Sequence, residues 1–183
     1  FGYLGKFIEQ QAGFNEKKLL YKLSRNPDKH RNGFGKHVEV DFDKEKFDIT
    51  EILDESTIIY MAPPNKDRDR DPRLENFLNN TKKSNIEKIV YISTSGVYGD
   101  CDGSSVTENA ELKPLTNRAK KRVVAEKMIM EYSAVNNTNY VILRVPGIYG
   151  LGRLPLSKIR EREPLVIKDE CKITNLINVE DLA

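Results

Sequence analysis

Short apolar runs alternating with helical patterns constrain this chain more than any other feature of its sequence. IEKIVYISTS (86–95) is almost continuously apolar at its centre, the pattern of a strand covered on both faces. STIIYMAPP (56–64) reads as a strand closed by two prolines, KLLYKLS (18–24) as a short strand, and KHVEVDF (36–42) as a strand in which Val38, Val40 and Phe42 alternate. YVILRVPGIYG (140–150) reads as a further buried strand leaving into a Gly/Pro loop. Helical patterns lie between them. FGYLGKFIEQQAG turns into a helix with Leu4, Phe7, Ile8 and Gln11 near one face. RLENFLNNTKKSN (73–85) is helical, and so are residues 117–135, which NNTN (136–139) stops. Residues 151–183 are charged and poorly periodic until ITNLINV. Strand and helix in alternation predict an α/β fold with a mostly parallel sheet. Sheets of that kind bind ligands at the carboxyl ends of their strands.

A chain of 183 residues is long enough for one domain with a core and part of a second. Charged residues make up 32% and hydrophobic ones 38%, as in a soluble globular protein, and a net charge of +2 gives no global field toward nucleic acid or membrane. No apolar run is long enough to span a bilayer. Cys101 and Cys171 have no metal or redox spacing and are expected as reduced thiols in a cytoplasm. His30 and His37 fall in a polar turn region, which argues against a histidine-based metal site or triad. The sequence opens at Phe1 in an apolar helical pattern and stops at INVEDLA, so a fragment cut at both ends is expected.

Several strand ends carry candidate chemistry. Gly2 and Gly5 have the spacing of the last two glycines in G-x-G-x-x-G, although an ordinary helix-start turn looks the same. About 20 residues on, where a dinucleotide fold reads the ribose, stand Ser24 and Arg25 rather than a carboxylate. An arginine there suits the 2′-phosphate of NADP, because a guanidinium forks onto phosphate oxygens; a solvated arginine in a turn is the plainer alternative. Asp41 and Phe42 end the next strand, where they would cover the adenine or simply close the strand. Ala62, Pro63 and Pro64 are small enough for a cofactor to approach the backbone. The Asp/Arg alternation of NKDRDRDPR (65–73) reads as a solvated loop and is assigned no chemistry. In STSGVYG, the hydroxyls of Thr94 and Ser95 would point at whatever fills the crevice, or serve turn geometry. In TNRAKKRVVAEK, Arg118, Lys120, Lys121 and Arg122 crowd a helix start, the end that disfavours positive charge.

YISTSGVYGD, ENAELKPLTN leading into a helix with Glu126, ILRVPGIYGLGR and NVEDLA resemble, in order and spacing, the extended short-chain dehydrogenase/reductases, the NAD(P)-dependent epimerase/dehydratase group. The resemblance implies a Rossmann-type, doubly wound parallel sheet. Its first strand would precede Phe1 and lie at the sheet centre in the order 3-2-1-4-5-6. It implies an NAD(P)-binding domain over 1–145, part of a substrate-binding region over 146–183, and a homodimer. Its substrates would be nucleotide sugars or related hydroxyl and carbonyl compounds.

The same resemblance implies a catalytic Ser or Thr, matched by Thr94 four residues before Tyr98, and a Y-x-x-x-K that falls on RAKKR. There Arg118 replaces the tyrosine and Arg122 the lysine. A guanidinium stays protonated and cannot cycle a proton as a phenol does. Being four apart, the two arginines are expected to share a helix face toward the crevice and to bind an anionic group or the nicotinamide ribose. The resemblance implies NAD(P), and Arg25 makes NADP the expected cofactor, with NAD as the alternative. Its contacts would be Gly2, Tyr3, Leu4, Gly5, Ser24, Arg25, Asp41, Phe42, Ala62, Pro63, Arg122, Pro146, Gly147 and Ile148. A non-catalytic dinucleotide sensor is the competing reading. Nucleic-acid binding is disfavoured by the low net charge and by Lys120 and Lys127 pointing away from the arginines.

Overall fold

The computed structural model describes residues 2–12, 19–26, 34–65, 70–154, 156, 160–162 and 174–183. Its strands are β1 (Tyr21–Ser24), β2 (Lys36–Glu39), β3 (Thr57–Tyr60), β4 (Lys88–Thr94), β5 (Asn139–Val145), β6 (Gly147–Tyr149) and β7 (Leu176–Asn178). The helices are α1 (Tyr3–Ala12), α2 (Thr50–Leu53), α3 (Pro72–Asn80), α4 (Asn117–Asn136) and α5 (Val179–Leu182). Every ladder among the described residues is parallel, as the α/β alternation predicts. β1 pairs with β2, β3–β4–β5 form a second sheet, and β6 pairs with β7. In the central sheet Thr57 faces Lys88, Ile89 faces Tyr140 and Thr94 faces Val145. No ladder joins β1 to β3 among the described residues.

Local signals place the helix ends. Pro72 takes the first position of α3, where its missing N–H costs nothing. Thr116 caps α4, its Oγ1 accepting the Ala119 N–H at 3.2 Å. Asn137 ends α4 in the left-handed conformation at φ 51°, a geometry asparagine tolerates.

α3 and α4 cover one face of the central sheet. Leu74, Phe77, Leu78, Ala125, Ile129 and Tyr132 pack against Ile89, Tyr91 and Tyr60. Each large side chain buried there contributes about 1.5–3 kcal/mol. Phe42 continues this core, its ring 5.4 Å from that of Phe77 and 6.0 Å from that of Tyr60. Polar ties add precision. Asn76 Nδ2 donates to the Phe42 carbonyl, and Asn80 Nδ2 to the Glu45 carbonyl, so α3 clasps the segment that follows β2.

Several expectations are corrected. β4 alternates buried and half-buried residues instead of hiding both faces. The stretch 140–150 is neither one strand nor buried. It breaks at Pro146, which has no N–H to donate to a ladder, and Tyr140, Val141 and Leu143 of β5 are exposed. β5 ends the sheet beyond β4, and the described residues cover one of its faces poorly. His37 lies on β2 rather than in a turn. The helix over 73–85 ends at Asn80, and the single turn α2 has no strong signal in the sequence. His30 and Cys171 lie outside the described residues, as does most of the charged stretch before β7.

Candidate functional site

β4 delivers Thr94 to the carboxyl edge of the sheet, where the chain turns into one 3₁₀ turn, Ser95–Tyr98, seated on the fully buried Val97. Thr94 Oγ1 accepts the Gly96 N–H at 3.3 Å, which leaves its own O–H to donate outward. Gly96 lies between Thr94 and α4: a Cβ built on it would stand 3.6 Å from Thr94 Oγ1 and 3.9 Å from the Ala119 Cβ. The hydroxyl and the first turn of α4 are thus brought together.

The two arginines of that helix part ways. Arg118 is exposed and makes no hydrogen bond or ion pair with the described residues. Arg122 is 6% exposed; its Nη1 donates to the Tyr91 hydroxyl at 2.7 Å, with the guanidinium 5.4 Å from that ring's centre. The expectation that both face the crevice is therefore corrected. One turn deeper on the helix, the same face meets the sheet. Neighbouring tyrosines do not restore the missing phenol at that position. Tyr91 is fully buried, and Tyr132 donates to the Thr81 carbonyl at 2.9 Å.

A buried network fixes α4 against the strand ends. Glu126, 1% exposed, accepts from Ser93 Oγ of β4 and from Arg144 of β5, whose Nη2 lies 2.9 Å from Oε2. Arg144 Nη1 also donates to the Tyr98 hydroxyl at 3.0 Å and the Glu108 carbonyl at 2.8 Å. One guanidinium thus joins α4, β5, the 3₁₀ turn and the loop before α4.

On the nucleotide side, Gly2 and Gly5 open α1, and Leu4 and Gly5 are buried. A Cβ on Gly2 would meet nothing within 4 Å, so a phosphate can approach this backbone and the partly positive helix start. Tyr3 donates to the Leu151 carbonyl at 2.9 Å, tying the glycine turn to the segment after β6. Ser24 Oγ and His37 Nε2 share a hydrogen bond of 3.0 Å. Arg25 is exposed and reaches Asp43 Oδ2 at 3.1 Å; Arg73 forks onto the same carboxylate at 2.6 and 2.8 Å. These bonds from Arg73, ahead of the Arg25 charge, hold the Asp43 carboxyl below its ordinary value.

Asp41 accepts the Asp43 N–H in a local turn, and Phe42 is drawn into the aromatic core instead of standing free at the strand end. Ala62 is half-buried, and the Pro63 carbonyl accepts from Arg73 Nη1 at 3.2 Å. Pro146 separates β5 from β6, whose Gly147 and Ile148 pair with Leu176 and Ile177. At Gly147 a Cβ would come within 2.7 Å of the Leu176 side chain.

Sequence reading missed the end of the Asp/Arg loop. It is not plain solvated loop there: Asp71 is 1% exposed and Arg73 is committed to Asp43. The Asp-Pro pair ahead of an apolar helix was a readable signal for a helix start. Nothing local showed that Asp71 would turn inward without forming the side-chain cap bond.

These features can be set beside known proteins. The UDP-glucuronic acid 4-epimerase from Bacillus cereus in complex with NAD superposes with a TM-score of 0.81 at 21% identity, over 99% of this chain and 68% of that one. MoeE5 in complex with UDP-glucose and NAD gives 0.76 at 20%, over 99% and 66%. The "Uncharacterized UDP-glucose epimerase YtcB" of Bacillus subtilis is 33% identical over 82 residues, 45% of this chain and 26% of that protein. This chain therefore spans only a fraction of the length of the curated relative it matches. The sequence profile described as the NAD dependent epimerase/dehydratase family matches residues 73–172, which hold Thr94, the α4 arginines and the Glu126–Arg144 network. The fold, the order of the strand-end motifs and this match agree: the chain belongs to the NAD dependent epimerase/dehydratase family.

Proposed function

We propose that this chain is the dinucleotide-binding part of a protein that takes NADP ahead of NAD and acts on a nucleotide sugar or a related hydroxyl or carbonyl compound. The observation that carries the cofactor reading is Arg25, an exposed guanidinium just after β1 whose one described ion pair is with a partly exposed carboxylate. Such a pair is worth about 0–1 kcal/mol and yields readily to a phosphate. The open backbone at Gly2 supports a bound diphosphate. The relatives named above that carry a dinucleotide hold NAD, so the 2′-phosphate preference rests on Arg25.

A nicotinamide bound at this edge supplies hydride donor and acceptor chemistry. The chain's own part is to orient and to hold charge. Thr94 donates its O–H to a substrate oxygen, and exposed Arg118 presents a fixed positive charge to an anionic substrate group. Because Arg118 cannot release its proton at neutral pH, the proton of the reaction is handled by water or by the substrate. The inward turn of Arg122 and the absence of a phenol at position 118 favour a second reading, a dinucleotide sensor without turnover.

The test is a fluorescence titration of the full chain with NADPH and NADH. Arg25→Ala is expected to weaken NADPH at least tenfold, the loss of one charge-assisted contact, and to leave NADH within twofold. No binding at millimolar NADPH sinks the cofactor reading. Turnover in wild type that disappears in Arg118→Ala excludes the sensor.

A further inference from the structure

Three charged side chains from separate parts of the chain meet beyond the carboxyl ends of the parallel strands. Arg25 follows β1, Asp43 lies in the turn after β2, and Arg73 stands in the first turn of α3. Arg73 spends two N–H groups on the carboxylate, Nε on Oδ1 at 2.6 Å and Nη2 on Oδ2 at 2.8 Å. Arg25 Nη1 reaches the same Oδ2 at 3.1 Å. Within this cluster two positive charges therefore face one negative charge, and one of the two sits at a helix start, where positive charge is disfavoured. The arginines are held differently. Arg73 is 18% exposed at its side chain, and its Nη1 donates to the Pro63 carbonyl at 3.2 Å, so its fork stays aimed without help from Asp43. Arg25 is 61% exposed and free to adjust to what it binds.

We propose that the Asp43 carboxylate is an internal stand-in for a phosphomonoester: it occupies a two-arginine site from which an incoming phosphate displaces it. That the phosphate is the 2′-phosphate of NADP rests on the cofactor reading above, to which the site adds Arg73 as a second phosphate ligand and Asp43 as a built-in competitor. The chemistry favours the exchange. A carboxylate brings two oxygens and a single charge, whereas a phosphomonoester brings three oxygens and about −1.5 to −2 at neutral pH, enough to answer both guanidiniums. Displacement asks little of the fold. The Asp43 N–H donates to Asp41 Oδ1 at 3.0 Å and the Lys44 N–H to the Asp41 carbonyl at 3.1 Å, so the turn keeps its shape while the Asp43 side chain rotates to another staggered position. The carboxylate is 32% exposed, so water receives it when it leaves. Until it leaves, the site is closed, and the apparent affinity for phosphate falls with the fraction of open molecules. A dinucleotide without the 2′-phosphate gains nothing from the exchange. A plain surface ion bridge predicts the opposite sign: removing Asp43 would leave phosphate binding unchanged or weaker.

The test is titration of the full chain, in wild type, Asp43→Asn and Arg73→Met, with NADPH and NADH by fluorescence and with inorganic phosphate by phosphorus NMR. Circular dichroism checks that each variant is folded. Asp43→Asn keeps the size of the side chain and removes its charge. It is expected to bind NADPH at least threefold more tightly than wild type, since the pair that must first break is gone, and to leave NADH within twofold. Arg73→Met is expected to weaken NADPH at least tenfold, the loss of a charge-assisted fork, and to leave NADH within twofold. If Arg73→Met fails to fold, Asp43→Asn decides the matter alone. NADPH affinity that is unchanged or weaker in Asp43→Asn overturns the proposal and leaves the cofactor reading to stand or fall on Arg25→Ala. Equal tightening of NADPH and NADH overturns it too, because that reports a general change of charge. If wild type binds no NADPH at millimolar concentration, the cofactor reading falls and inorganic phosphate decides the site: tighter binding in Asp43→Asn supports it, and no change overturns it.

Discussion

Replacing Arg144 with methionine removes one side chain from three partners and tests whether the Glu126 network sets the position of α4. Methionine keeps most of the aliphatic volume, so the loss is chiefly electrostatic. Glu126 is 1% exposed at its side chain and Arg144 15%, so the variant strands a carboxylate out of reach of water. Breaking a buried pair from one side costs about 3–5 kcal/mol. The lost bonds to the Tyr98 hydroxyl and the Glu108 carbonyl, both nearer the surface, add about 0.5–1.5 kcal/mol each. The Ser93 bond is kept in both proteins and cancels from the difference. The expected net loss is therefore about 4–8 kcal/mol, a large part of the stability of a typical domain. Urea unfolding of the full chain, followed by circular dichroism, measures it through the midpoint at constant slope. A cycle with Glu126→Gln should show the double variant less damaged than the sum of the singles by about 2 kcal/mol or more, since the second change removes the stranded charge. A loss under about 1 kcal/mol for Arg144→Met, or coupling within about 0.5 kcal/mol of zero, would refute the view that this pair holds the helix in place.

Two further outcomes test other parts of the structure. Gly99→Ala should cost about 3 kcal/mol or more in thermal melts, because φ is +80° and the new Cβ would lie 2.2 Å from the Lys113 carbonyl oxygen. Gly152→Ala, at the same φ but with nothing within 4 Å, should cost only the conformational strain of about 1–2 kcal/mol; equal losses would show that the Lys113 contact is not felt. Asp43 is held below its ordinary value of 3.8 by Arg73, so its contribution is present above that pH and is lost as pH falls through the lower folded value. Asp43→Asn should therefore cost about 0.5–1 kcal/mol at pH 7, a modest figure for a partly exposed pair, and less at pH 2. Unfolding curves at both pH values decide this, and a variant equally weakened at both would exclude the linkage.

Much of the fold was legible because it is written locally. The runs around Ile58–Ile59 and Ile89–Ile92 name β3 and β4, Pro72 and Thr116 mark two helix starts, and Thr94 follows from its place at the end of an apolar run. Spacing also located the Arg118/Arg122 pair on one helix. What spacing could not supply was depth. Both arginines fit a helical wheel facing the crevice, yet the sheet lies under one turn and solvent over the other. Likewise Asp71 and Arg73 belong to a charge-rich run that looks solvated, until α3 docks and turns one inward and the other onto Asp43.

By itself, then, the sequence determined the alternating parallel architecture, the strand-end hydroxyl and the replacement of a phenol by a guanidinium, all of which depend on residue type and local period. Only the tertiary structure decided that Arg122 is buried against Tyr91, that Glu126 and Arg144 clamp α4, and that Tyr60 and Asp71 are both buried. Those outcomes depend on partners distant along the chain. Whether a charge is solvated, paired or stranded is set by what packs over it, and no local pattern encodes that.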